Sequence, residues 1–218
     1  MLAVQTYRPE VYSALPDLCD AASKFKALNG AAAVEKSFKD LFRRHGMEKK
    51  FGLTMAHRHF DMAKNERLVE YGTTSTPWVM DNDSDSVKPH CWVLGADGVT
   101  PYEFRYDPSG KEEELKIDFN DAKIQAFARE FVDLVDSIGG TGLFGLCTHP
   151  GGDFEGRLEI TQGRANINIP LSEVPEFMKP NVTDAAWFFH KDEGPCGCFC
   201  YTTDDGKHGG HATNSPRR

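Results

Sequence analysis

Apolar residues recur at steps of three and four residues in two stretches of the chain, 31–45 and 121–138. This spacing places the apolar side chains on one face of a helix, so each stretch predicts a helix that packs on a core. A shorter helix is predicted over 16–28, where Asn29-Gly30 would end it.

Apolar and polar residues alternate in most other segments, which is the period of a half-buried strand. The predicted strands form neighbouring pairs along the chain, 51–60 with 67–74, 90–94 with 102–106, 157–161 with 165–171, and 186–190 with 198–202, beside a further strand at 143–149. Because strands follow one another instead of alternating with helices, we predict an α+β fold. Its sheet is expected to be mainly antiparallel, built from successive hairpins and flanked by two or three helices.

The predicted elements continue to residue 203, and the Gly-, His- and Asp-rich segment after it has no apolar periodicity. We therefore expect one α+β domain over residues 1–203 and a polar C-terminal tail over residues 204–218. A division into two domains near residue 120 is the alternative.

The chain has 218 residues and a formal net charge of −8. This acidic balance, without a dense Lys/Arg patch, argues against nucleic-acid binding, which needs a basic face. No segment approaches the roughly 20 apolar residues that span a bilayer, and the first residues do not resemble a secretory signal. We expect a soluble, cytoplasmic protein whose cysteines are thiols.

The candidate chemistry centres on His57-Arg58-His59. Residues two apart on a strand point to one face, so both imidazoles could reach one divalent ion such as zinc or iron. The third ligand would be a histidine near a predicted strand end, or a carboxylate: His149, His190, Glu70 or Asp61. The competing interpretation is that the two histidines are half-buried polar residues bonded to their neighbours.

A second, weaker candidate cluster is Cys196, Cys198 and Cys200, whose thiols alternate on a predicted strand. Alternate thiols share a face and could bind a soft ion, yet structural zinc sites usually use CxxC turns. Buried cysteines packed as small apolar residues explain the same pattern.

A third hypothesis is nucleophilic catalysis by a cysteine beside a histidine, at Cys147 with His149 or at Cys91 with His90. A thiolate needs a base within hydrogen-bond reach. Neither pair lies in a recognised cysteine-hydrolase motif, and phosphate-binding and dinucleotide-binding glycine loops are absent from the sequence.

The sequence therefore favours a metal-dependent enzyme that acts on a small molecule through the His-x-His strand site. The alternative is a non-catalytic protein-interaction or structural domain, whose partner would be another protein.

Overall fold

Ten strands close into a barrel in the computed structural model, which describes residues 1–80, 85–191 and 196–203. The strands are β1 (Phe51–Met55), β2 (Glu66–Tyr71), β3 (Thr74–Val79), β4 (Val87–Gly95), β5 (Gly98–Tyr106), β6 (Phe144–Thr148), β7 (Arg157–Gln162), β8 (Ala165–Pro170), β9 (Val182–Phe188) and β10 (Cys196–Tyr201). Their order around the barrel is β1-β6-β4-β5-β2-β3-β8-β7-β10-β9.

The closed barrel corrects the predicted sheet of successive antiparallel hairpins flanked by helices. β1 does not form a hairpin with β2, because Leu53 pairs with Leu146 of β6 on one side and with Trp187 of β9 on the other. Two neighbouring pairs, β2 with β5 and β7 with β10, are parallel. Closure pairs both edges of the sheet, which removes the unpaired backbone groups that an open edge would expose.

The helices lie at the start of the chain and between β5 and β6. They are α1 (Pro9–Ser13), α2 (Leu18–Ala27), α3 (Gly30–Ala33), a π-helical turn (Val34–Phe38), α4 (Lys39–His45) and α5 (Ala122–Ser137), with short 3-10 turns at Glu113–Leu115, Leu171–Glu173 and Glu176–Met178. Asp121 caps α5 by accepting hydrogen bonds from the backbone N–H groups of Lys123 and Ile124. The predicted helices at 16–28, 31–45 and 121–138 are therefore present.

The main apolar core lies between the helices and the outer face of the barrel. Phe42 of α4 packs edge-on against Phe127 of α5, with ring centroids 5.0 Å apart, and Phe51 of β1 stacks on the same ring. The outward side chains of β1, such as Phe51 and Leu53, are fully buried in this core. Because side chains alternate along a strand, the intervening residues of β1 face the barrel interior.

No helix within the described ranges is long and apolar enough to cross a membrane. The predicted tail, residues 204–218, lies outside the described residues, and so does the side chain of Cys196.

Candidate metal centre

The barrel interior contains a polar cavity with a volume of about 50 Å³. Seven strands contribute lining residues, among them Thr54 (β1), His90 (β4), Glu103 (β5), Cys147 (β6), Glu159 (β7), Ala186 (β9) and Cys198 (β10). A lining so rich in titratable groups is the part of the molecule best suited to chemistry.

An irregularity in β4 places two consecutive residues against this cavity. Pro89 pairs with Phe104 and Cys91 pairs with Glu103, so His90 is an extra residue in β4. Such a β-bulge breaks the strict alternation of side chains. His90 and Cys91 therefore both line the cavity, and both are buried.

A second irregularity in β5 has the same effect on the facing strand. Cys91 pairs with Glu103 and Trp92 pairs with Pro101, which leaves Tyr102 as the extra residue. Tyr102 and Glu103 both line the cavity in consequence. Paired bulges thus concentrate polar groups on one side of the barrel interior.

The segment after β1 carries His57 and His59 and is fixed by hydrogen bonds to neighbouring elements. Ala56 N–H donates to the Leu143 carbonyl, and His59 N–H donates to the hydroxyl of Tyr12. The two imidazole rings are 4.8 Å apart at their centroids. The histidines predicted to share a strand face thus lie side by side, although they follow the end of the strand.

The ring of His57 has a defined tautomer. Its Nδ1 lies 2.7 Å from the Met55 carbonyl oxygen, which can only accept, so Nδ1 carries the proton. The lone pair is then on Nε2, which lies 3.4 Å from Sγ of Cys200. Burial lowers the pKa of His57 and keeps the ring neutral. A neutral imidazole whose other nitrogen donates to a carbonyl is the usual state of a metal ligand.

Cys200 of β10 completes a group of three ligands with the two histidines. One ligand atom each from His57, His59 and Cys200 lies within 4.8 Å of the other two. Burial, and then the nearby carboxylate of Glu159, raise the pKa of Cys200 well above its ordinary value. The residue is consequently a thiol until a cation binds beside it.

Glu159 of β7 faces this group with one carboxylate oxygen. Its Oε1 accepts a hydrogen bond from Arg157 at 3.2 Å. Its Oε2 lies 3.7 Å from Nε2 of His59 and 3.6 Å from Sγ of Cys200. Glu159 is therefore held by Arg157 in a position from which it can bind a cation or accept the thiol proton.

Glu103 lies between His59 and His90. Its Oε1 is 3.9 Å from Nε2 of His59, and its Oε2 is 3.9 Å from Nε2 of His90. Burial raises the pKa of Glu103 to about 8, and the carboxylates of Glu159 and Glu70 add to the increase. Glu103 is thus mostly protonated at neutral pH unless a cation binds next to it.

A buried ion-pair network lies beside these groups. Arg105 Nε donates to Glu70 at 2.7 Å, Arg157 donates to it at 3.1 Å, and Asn168 donates at 3.2 Å. Burial opposes ionisation of Glu70, but Arg157 and Arg105 outweigh it and lower the pKa to about 2. Glu70, which sequence reasoning considered as a ligand, is instead engaged by both arginines.

His149 and His190 contact each other rather than the group around His57. His149 Nδ1 accepts from the N–H of Gly151, so its Nε2 donates to Nδ1 of His190 at 2.9 Å. Within the described ranges, neither belongs to a group of three ligand atoms within 4.8 Å. The structure brings Cys200 to the place where a third histidine was expected.

Burial disfavours a thiolate in both cysteine–histidine pairs. Cys91 Sγ lies 3.7 Å from His90 Nδ1, but burial raises the pKa of this thiol and lowers that of His90 to about 3. Burial also raises the pKa of Cys147, and His149 is bonded to His190. These shifts work against proton transfer from either thiol to the neighbouring histidine.

Sequence reasoning missed Glu103 and Glu159 as members of the site. A signal for them exists in the charged pairs Glu103-x-Arg105 and Arg157-x-Glu159, whose members sit two apart inside otherwise apolar predicted strands. Charges at alternate positions of a strand share one face, which here is the barrel interior.

Comparisons of the chain with protein-family models, with curated proteins and with solved structures find no match.

Proposed function

We propose that this protein is a metal-dependent enzyme that acts on a small molecule inside the barrel. His57, His59 and Cys200 would bind a divalent ion, zinc or iron. The observation that carries the proposal is the convergence of these three ligand atoms within 4.8 Å, with His57 Nδ1 bonded to a backbone carbonyl.

One of the ligand separations already suits a bound ion. Two atoms bound to one zinc ion at its usual bond lengths lie roughly 3.3–3.8 Å apart in tetrahedral geometry. His57 Nε2 and Cys200 Sγ are 3.4 Å apart. Two imidazoles and one thiolate form a ligand set that zinc accepts, and iron accepts imidazole with a carboxylate such as Glu159.

The surroundings support catalysis rather than a purely structural ion. Three protein ligands leave a coordination position for water, oxygen or a substrate, whereas structural zinc sites use four. The adjoining cavity, with a volume of about 50 Å³, leaves room for a few water molecules or a very small molecule beside such an ion. Glu159 and Glu103 would hold or move protons beside the bound molecule.

Metal analysis tests whether the protein binds this ion. Tag-free protein, as purified, is expected to contain at least one equivalent of zinc or iron, measured by plasma mass spectrometry. The His57→Ala/His59→Ala variant should lose it, whereas the control His149→Ala/His190→Ala should retain it. Equal metal contents in the two double variants would contradict the proposal. So would a wild-type protein without metal whose thermal midpoint is unchanged by added divalent ions.

Catalysis is tested by comparing metal-loaded and metal-free protein in a screen of hydrolysis and oxygen-consumption reactions on small molecules. We expect turnover that depends on the metal and disappears in the His57→Ala/His59→Ala variant. Turnover that survives removal of the metal would show that the reaction does not use this ion.

A further inference from the structure

A second group of ligand atoms lies in the same cavity. One atom each from His90, Cys91 and Glu103 lies within 4.8 Å of the other two. His90 and Cys91 are 4% and 5% exposed, so these groups have been removed from bulk water. The bulge at His90 brings both His90 and Cys91 into the cavity, where a strand without a bulge would present only one of them.

Glu103 connects this group with the first one. One carboxylate oxygen faces Nε2 of His59 and the other faces Nε2 of His90, each at 3.9 Å. A carboxylate that bridges two ions directs its two oxygens at two different groups of ligands, as Glu103 does. Ions in such two-metal sites lie roughly 3.5–4 Å apart.

The distance between Glu103 and His90 suits an ion rather than a direct contact. At 3.9 Å the oxygen and nitrogen are too far apart for a hydrogen bond. Two such atoms bound to one ion lie roughly 3.3–4.2 Å apart, from tetrahedral to opposite positions. An ion between them would accordingly require only small movements of the side chains.

The carboxylates of the cavity also differ in their ion-pair partners. Glu70 is engaged by Arg105 and Arg157, and Glu159 is engaged by Arg157. Within the described ranges, no Lys or Arg lies within 4.0 Å of the Glu103 carboxylate, whose ion-pair contacts are His59 and His90. A divalent ion at this position would give Glu103 the cationic partner that the described Lys and Arg side chains do not provide.

We propose that the cavity binds two divalent ions, the second at His90, Cys91 and Glu103, with the Glu103 carboxylate bridging to the first. This inference rests on the proposed function for its first ion at His57, His59 and Cys200. A two-metal centre in a polar cavity directs the search for substrates toward molecules with a hydrolysable ester, phosphoester or amide group.

Titration of metal-free protein with cobalt(II) tests the second ion. Wild-type protein should bind two equivalents, measured by calorimetry and by the visible absorption of the bound ion. His90→Ala should lose one of the two, and the control His149→Ala should keep both. Where His90→Ala does not fold, His90→Gln, which retains the bulk of the side chain, replaces it. Circular dichroism checks the fold of each variant.

The outcomes separate this inference from the proposed function. One equivalent in the wild-type protein, lost in His57→Ala/His59→Ala, would overturn the two-metal centre and leave the proposed function standing. No binding at all would overturn both. Two equivalents retained in both His90→Ala and His90→Gln would show that the second ion binds elsewhere.

Electron paramagnetic resonance tests the bridge itself. Two cobalt ions linked by one carboxylate are magnetically coupled, so the signal per ion should fall between the first and second equivalents. Glu103→Gln should abolish that coupling or the second equivalent. Full coupling in Glu103→Gln would refute the bridging role.

Discussion

Replacing Glu70 by glutamine tests whether the ion-pair network of the barrel interior stabilises the fold. Glu70 is 4% exposed and accepts hydrogen bonds from Arg105, Arg157 and Asn168. Glutamine keeps the size of the side chain and removes its charge. The variant then leaves the partly buried guanidinium groups of Arg105 and Arg157 with one carboxylate fewer, which is the costly way to break an ion pair held away from water.

The expected loss follows from the pKa of Glu70. The folded protein lowers it from 4.5 to about 2, and this difference corresponds to about 3 kcal/mol of stability at neutral pH. Removal of one partner of a buried pair costs about 3–5 kcal/mol in other proteins. We expect Glu70→Gln to lower the free energy of unfolding by about 3 kcal/mol.

The stability that Glu70 contributes should also depend on pH. A carboxylate whose pKa is lower in the folded state contributes its full stability above the unfolded pKa near 4.5. That contribution is lost as the pH falls toward the folded pKa of about 2. Urea unfolding of wild-type protein and Glu70→Gln between pH 7 and pH 3 should therefore give a constant difference above about pH 5 and a shrinking one below it.

Glu176→Gln serves as the control, because Glu176 pairs with Lys179 on the surface, where its side chain is 87% exposed. Exposed ion pairs contribute little to stability, so this variant should unfold like the wild-type protein. If Glu70→Gln matched the control at pH 7, or if its difference from wild type did not change down to pH 3, the network would not stabilise the barrel as argued.

Two further substitutions test the barrel and its helices. A Cβ atom at Gly145 would lie 2.5 Å from the Trp92 carbonyl oxygen of the next strand, so Gly145→Ala should destabilise the protein by about 2 kcal/mol through overpacking. The control Gly95→Ala, where a Cβ atom would meet nothing within 4 Å, should leave the thermal midpoint unchanged. Equal thermal midpoints for the two variants would mean that the strands at Gly145 lie farther apart than described. Asp121→Ala removes the cap of α5 and should lower the free energy of unfolding in urea by about 1 kcal/mol. The control Asp133→Ala, at an exposed position of the same helix, should not lower it. Equal losses of stability in the two variants would contradict the capping role.

Local patterns in the sequence predict the elements better than they predict their partners. The apolar stripe and the capping residue Asp121 suffice to locate α5, because both signals lie within one helix. Closure of the barrel depends on contacts such as Leu53 with Trp187, which lie far apart along the chain. Alternation shows that a strand has two faces, but it does not say which strand lies beside it.

In the candidate site too, contacts between residues close in sequence can be predicted, and contacts between distant residues cannot. The spacing of His57 and His59 predicts that their side chains are neighbours, and their rings are 4.8 Å apart. Cys200 contacts His57 only because β10 lies two strands away from β1 in the closed barrel. The two clusters that appear separate in the sequence thus contribute to one group of ligands, and only the order of the strands could reveal it.

The bulges explain why part of the polar cavity escapes a period-two reading of the sequence. Strict alternation would put His90 and Cys91 on opposite faces of β4, and Tyr102 and Glu103 on opposite faces of β5. Each bulge turns both members of its pair inward. A bulge costs backbone pairing. Two bulges at facing positions, next to the potential ligands His90, Cys91 and Glu103, are better explained by the need to place these side chains in the cavity than by the packing of the barrel.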